Sequence, residues 1–139
     1  MKQLPQTDNA LSLRTDFSDD AAWESICKAI GEPGAGGFQA YVDCISDREY
    51  DGLTVEQLTA LSPKGSDRTF AFIVDQTALT HPDHPILVVD LHDEPGRTFR
   101  VIPFEMCSVE NNLSIANMDF SEFADNVDKD GIFRGFPDS

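Results

Sequence analysis

Residues 11–31 read LSLRTDFSDDAAWESICKAIG, and this stretch decides the fold class. Leu11 to Thr15 reads as a short strand. Ser18 is the expected N-cap of a helix, with Asp19, Asp20 and Glu24 placing negative charge near its positive end. Trp23, Ile26, Cys27 and Ile30 recur at i, i+3, i+4 and i+7, one buried face of a helix of about three turns that Gly31 can end.

Working outward, Phe38 to Val42 reads as a second strand. Thr54 opens another helix through a capping box with Gln57, supported by a Leu53–Leu58 staple and closed by Pro63. Thr69 to Val74 is a third strand, and Ile86 to Val89, nearly all apolar, a central fourth. His92-Asp93-Glu94-Pro95-Gly96 has Pro followed by Gly, which suits a type II turn, so Thr98 to Ile102 returns as the fifth strand of a hairpin. Pro103 to Ala116 fits neither period. Asp119 and Glu122 start a last helix with Phe120, Phe123, Ala124 and Val127 on its apolar face and Gly131 beyond its end, while Ile132, Phe133 and Phe136 are expected to pack onto the domain.

Strand, helix, strand, helix, strand at these spacings favours parallel neighbours joined by right-handed crossovers. The expectation is a single α/β (or α+β) domain over residues 1–139. Its mixed five-stranded sheet is partly parallel, carries a C-terminal hairpin and is covered by three to four helices. Residues 1–9, polar in character, are expected to form a flexible N-terminal segment.

With 139 residues and 40% hydrophobic side chains, the chain suits one core. It carries neither the apolar run of a membrane span nor the apolar centre of a signal peptide, so a cytoplasmic location is expected. Cys27, Cys44 and Cys107 form no C-x-x-C motif and read as reduced, half-buried small hydrophobes. Asp and Glu outnumber Lys and Arg 25 to 10, for a net charge of −15, without any long acidic run. Such charge coats a folded surface; it repels nucleic acid and anionic membrane and favours a basic protein partner, or it simply keeps a small protein soluble.

Four expected strands each run into an aspartate: Asp16, Asp43, Asp75 and Asp90. Parallel strands would gather these carboxylates at one sheet edge, where they could hold Mg²⁺ for hydrolysis or phosphoryl transfer. Alternatively, each is an ordinary strand-ending turn residue. No P-loop, dinucleotide glycine motif or nucleophile elbow accompanies them. His81, His84 and His92 lie near Asp83, Asp90, Asp93 and Glu94, a conceivable metal centre with poor spacing. Asn126, Asp128, Asp130 and Gly131 imitate the opening of a Ca²⁺ loop, yet the twelfth position is Pro137 rather than a bidentate Glu. Asn111, Asn112, Ser114 and Asn117 make an amide-rich segment that stitches an irregular backbone together or serves as a recognition loop.

The strings Leu13-Arg14-Thr15-Asp16-Phe17-Ser18-Asp19, Tyr41-Val42-Asp43, Asp51-Gly52-Leu53-Thr54, Val88-Val89-Asp90-Leu91, Glu94-Pro95-Gly96-Arg97-Thr98-Phe99-Arg100 and Asn111 through Phe120 resemble an uncharacterised bacterial family, a domain of unknown function. The resemblance spans nearly the full chain and implies no activity, cofactor or site. The leading functional expectation is therefore a non-catalytic acidic domain that engages a basic protein, in an immunity-like or regulatory role. The alternative is a Mg²⁺-dependent hydrolase or phosphotransferase built on the strand-end aspartates.

Overall fold

A computed structural model of the protein describes residues 3–62 and 67–136. The chain runs β1 (Ala10–Arg14), α1 (Asp20–Gly31), β2 (Val42–Ile45), α2 (Val55–Leu61), β3 (Phe70–Val74), α3 (Gln76–Thr80), β4 (Ile86–Asp90), β5 (Thr98–Val101), α4 (Met106–Ser114), α5 (Phe120–Ala124) and β6 (Ile132–Phe133). The strands form one sheet in the order β2-β1-β3-β4-β5-β6. β1 lies parallel to both β2 and β3, as the crossover pattern requires, and β4 and β5 form the expected antiparallel hairpin. At its turn the Arg97 amide donates to the Glu94 carbonyl over 2.9 Å and Gly96 has φ 96°, the left-handed value that a type II turn needs after proline.

Several elements depart from the sequence expectation. The described residues hold six strands and five α-helices rather than five strands and three to four helices. The added strand, β6, has two residues, too few to show a period, and pairs in parallel with β5. α3 is a five-residue helix just ahead of Pro82 and Pro85, started by Asp75, whose carboxylate accepts the Ala78 amide at 3.1 Å. The second strand begins at Val42 rather than Phe38, which leaves Phe38 and Tyr41 exposed in the approach to it. The cap of α1 is Asp19 rather than Ser18: Asp19 Oδ1 accepts the Ala22 amide at 3.0 Å, while Ser18 turns back onto Asp16. The capping boxes at Thr54–Gln57 and Asp119–Glu122 form as read. Pro63, expected to close α2, lies outside the described residues, as do Met1, Lys2 and Pro137.

Alternation along the strands feeds two cores. Phe70, Phe72, Val74, Ile86, Val88, Phe99, Val101 and Phe133 meet Trp23, Ile26 and Ile30 of α1 together with buried residues of α3, α4 and α5. On the opposite face Leu11, Leu13, Ala71, Ile73 and Val89 pack with Leu4, Tyr50, Leu53 and Leu58, so α2 and the N-terminal residues share that side. The Tyr50 hydroxyl donates to the Gln3 carbonyl, and Arg68 Nη2 donates to the Pro5 carbonyl at 2.8 Å. Among the described residues, no helix is long and apolar enough to cross a membrane.

Phe123 is fully buried at the centre of an aromatic group, its ring centroid 6.2 Å from Phe99 and 5.2 Å from Phe133. Phe123→Ala is expected to lower unfolding stability by about 3–5 kcal/mol. Urea denaturation should show the loss, with Ser121→Ala on the same helix as a near-neutral control.

Candidate partner-binding surface

The strand-end aspartates divide between the two ends of the strands rather than gathering at one. Asp16 and Asp75 follow β1 and β3, which run in the same direction. Asp90 ends β4, which is antiparallel to β3 and pairs Asp90 with Phe70 at the start of that strand. Asp43 is the second residue of β2, opposite Leu11 near the start of β1.

Each of the four carboxylates holds local structure. Asp16 accepts the amide and hydroxyl of Ser18, which hold its pKa below the usual carboxylate value. Asp43 accepts the backbone amide and the Nδ2 of Asn9 at 3.1 and 3.2 Å. Asp75 caps α3 and receives both terminal nitrogens of Arg100, at 3.0 and 2.7 Å. Asp90, nearly buried, accepts the amides of His92, Asp93 and Glu94 at 2.9, 3.2 and 2.9 Å and so anchors the β4–β5 turn.

The other expected ligand sets also resolve into local bonding. His81 Nδ1 accepts the Asp83 amide, His84 Nδ1 meets the Ala78 carbonyl, and His92 Nδ1 meets its neighbour Asp93. Asp128 Oδ1 accepts the amides of Asp130 and Ile132, and its Oδ2 takes Arg134 Nε at 2.7 Å, which holds the carboxyl below its ordinary range. The Asn126 amide turns away to the Glu122 carbonyl at 2.7 Å. Among the described residues, no group of three or more His, Cys, Asp or Glu side chains is assembled to hold a metal ion.

The amide-rich segment is helical rather than a loop: Asn111, Asn112 and Ser114 lie in α4, and only Asn117 lies in the turn beyond it. Met106, Cys107, Val109, Glu110 and Leu113 form the buried side of that helix. Glu110 occupies a core position on an otherwise apolar face, which breaks the hydrophobic period and hides the helix from sequence reading. Its Oε1 accepts the Tyr41 amide at 2.6 Å and Asn111 Nδ2 at 2.9 Å, and its Oε2 accepts the Ser114 hydroxyl at 2.6 Å. Asn111 also donates to the Gln39 carbonyl at 3.1 Å, while Asn117 Nδ2 and its amide both bond Asn112, at 2.9 Å. The segment approaching β2 is thereby fastened to α4.

That fastening displays apolar surface. Phe38, Tyr41, Phe104 and Ile115 are 66%, 62%, 57% and 75% exposed. The Phe38 carbonyl accepts the Gly34 amide at 2.8 Å, and a Cβ on Gly34 would fall 2.3 Å from the Phe104 carbonyl oxygen. Only glycine permits this approach between the two segments. Sequence reading missed Glu110 and the three exposed rings; the detectable signal was an isolated carboxylate at i+4 from Met106 and i−3 from Leu113.

The chain's charge is far from balanced. Arg14, Arg97, Arg100 and Arg134 are committed to internal pairs with Asp20, with Glu94 and Asp125, with Asp75, and with Asp83 and Asp128. These are four of only ten Lys and Arg side chains against 25 Asp and Glu. Glu32 precedes the Gly34 approach and Glu105 follows Phe104, where burial raises the Glu105 carboxyl above its ordinary 4.5.

Residues 9–136 match the family model described as Domain of unknown function (DUF6924), so the chain belongs to that family. The match bears out the resemblance to a domain of unknown function. No curated protein matches the chain.

Glu110→Ala is expected to free the Tyr41 amide to exchange with solvent and to cost about 1–3 kcal/mol. Hydrogen exchange should show faster Tyr41 exchange in Glu110→Ala and retained protection in Glu110→Gln, which keeps the Oε1 acceptor. A carboxyl with a folded pKa above its unfolded value destabilises the fold at higher pH, and the penalty disappears as pH falls through the folded value. Glu105→Gln should accordingly melt above wild type at neutral pH, with the gap closing on acidification toward pH 4.5 in paired thermal melts.

Proposed function

We propose that this member of DUF6924 is a non-catalytic binding domain whose acidic surface engages a basic protein, in an immunity-like or regulatory role. The observation that carries the reading is the exposed set Phe38, Tyr41 and Phe104, held on two segments that Glu110, Asn111 and Gly34 bring together. Singly exposed apolar residues are ordinary, but aromatic side chains presented on a fixed backbone suit the anchors of a protein interface.

The net charge of −15 selects the chemistry of the partner. Long-range attraction speeds encounter with a cationic surface, and Lys or Arg side chains of that surface can stack on the exposed rings. Like-signed nucleic acid and anionic membrane are disfavoured by the same field.

A photo-reactive residue at Phe38, compared with one at Glu56 on the exposed side of α2, tests the reading in lysate of the source cell. Position 38 is expected to trap basic proteins that position 56 does not, with trapping weakened as salt rises. Combining Phe104→Ser and Tyr41→Ser should reduce trapping by about tenfold or more. Equal capture at both positions, capture of acidic proteins, or indifference to salt would sink the proposal.

A further inference from the structure

Where β3 begins and β4 ends, the molecule carries a trough separate from the exposed rings. Phe70 is the register partner of Asp90 there, and the Leu91 amide donates to the Thr69 carbonyl at 2.9 Å. The chain between α4 and α5 passes the same place, and Asp119 at its end caps α5. Between these segments lies a cavity of about 230 Å³, whose apolar lining is the buried Phe70, Leu113 and Phe120 with the half-buried Met118. A second cavity of about 390 Å³ is lined by Glu94 and Ser121, and Asp90, Asp93 and Asp119 are walls of both. The shared walls make the two cavities one trough.

Its charge is of one sign. Asp67 joins the three shared carboxylates on the first cavity, and among the described residues no Lys or Arg lines it. Arg97, on the wall of the second, is already bonded to Glu94 at 3.2 Å and to Asp125 at 2.7 Å. Asp90 is 2% exposed and accepts three backbone amides, so the β4–β5 turn rather than a cation holds its charge. A cleft lined by one sign of charge with low-dielectric walls focuses its field and concentrates the opposite charge.

The apolar lining narrows the choice of occupant. A side chain with methylenes along its stem and a cation at its tip matches both features, because the stem covers apolar surface while the head reaches the carboxylates. Lys and Arg are such side chains. The trough also adjoins the surface described above. Exposed Ile115 lies between Ser114 and Ala116, both lining residues of the first cavity, and the Glu110 carboxylate that holds the Tyr41 amide also accepts the Ser114 hydroxyl.

We propose that the trough is the docking site for an extended Lys- or Arg-bearing segment of the basic partner, with side-chain stems on Leu113, Met118 and Phe120 and cationic heads at Asp90, Asp93 and Asp119. This rests on the reading of a basic protein partner and adds the place where its cationic segment binds, apart from the rings.

The test is an NMR titration of the ¹⁵N-labelled full-length chain with a synthetic peptide of alternating Arg and Gly, and with the same peptide carrying citrulline for Arg. The amides of His92, Asp93, Ala116 and Asp119 should shift saturably with the Arg peptide, less so as salt rises, and should stay in place with the citrulline peptide. Asp67→Asn combined with Asp93→Asn, both at exposed positions, should weaken affinity by about threefold to tenfold. Glu24→Gln combined with Glu56→Gln removes the same charge from α1 and α2 and should change affinity by less than about twofold. The proposal is overturned if the shifts spread over the acidic surface at large, if both double variants weaken binding equally, if the citrulline peptide binds as well, or if no saturable shift occurs. The titration of wild type decides the matter even where a variant fails to fold. Trapping of basic proteins at position 38 without a saturable shift in the trough overturns this site and leaves the ring surface standing, whereas the shift without the trapping supports this site and sinks the ring surface.

Discussion

β3 is buried on both faces, and that constraint arranges the rest of the molecule. Its five residues alternate between the two cores, Phe70, Phe72 and Val74 toward one and Ala71 and Ile73 toward the other. A strand of this kind requires cover on both sides of the sheet. The connection through α1 places cover on one side, and α2 with Leu4 supplies the other. After β3 the short helix α3 returns the chain antiparallel through β4, and the reversal separates the strand-end aspartates. The topology that gives the domain its core thus also distributes its carboxylates.

Two buried ionisable side chains impose more specificity than the apolar contacts do. Arg14 is 4% exposed, its guanidinium 4.4 Å from the Phe17 ring centroid and bonded to the Asp16 carbonyl at 2.9 Å. Glu110, equally buried, is satisfied by a backbone amide, a side-chain amide and a hydroxyl. Hydrophobic packing tolerates sliding, whereas a desolvated charge requires its donors or acceptors in place. Arg14 locates α1 and the end of β2 relative to β1, and Glu110 locates the approach to β2 relative to α4. Edge and helix are positioned by polar groups that surround an apolar interior.

Much of the fold was legible where local chemistry and burial agree. Trp23, Ile26 and Ile30 mark α1, Thr54 and Gln57 mark the start of α2, and Pro95-Gly96 marks the hairpin. Legibility failed where long-range contacts override local pattern. Phe38 and Tyr41 have the β propensity of a strand, yet their segment is held to α4 instead of pairing, and strand formation waits until Val42. α4 was hidden because Glu110 occupies a core position, and β6 because two residues have no periodicity. Asp16, Asp75 and Asp90 do punctuate their strands, but spatial grouping depends on strand direction, which residue identity does not carry.

The position of β2 at the end of the sheet bears on how the molecule avoids its own kind. An unpaired strand edge is a template for another strand, and an acidic side chain there discourages continuous pairing. Asp43 supplies that charge in the middle of a four-residue strand and is held by Asn9 rather than by a basic neighbour. At the other end the sheet stops with β6, only two residues long. The outermost strands are therefore poor seeds for sheet extension, and resistance to aggregation is built into the same charge and brevity that define the edges of the fold.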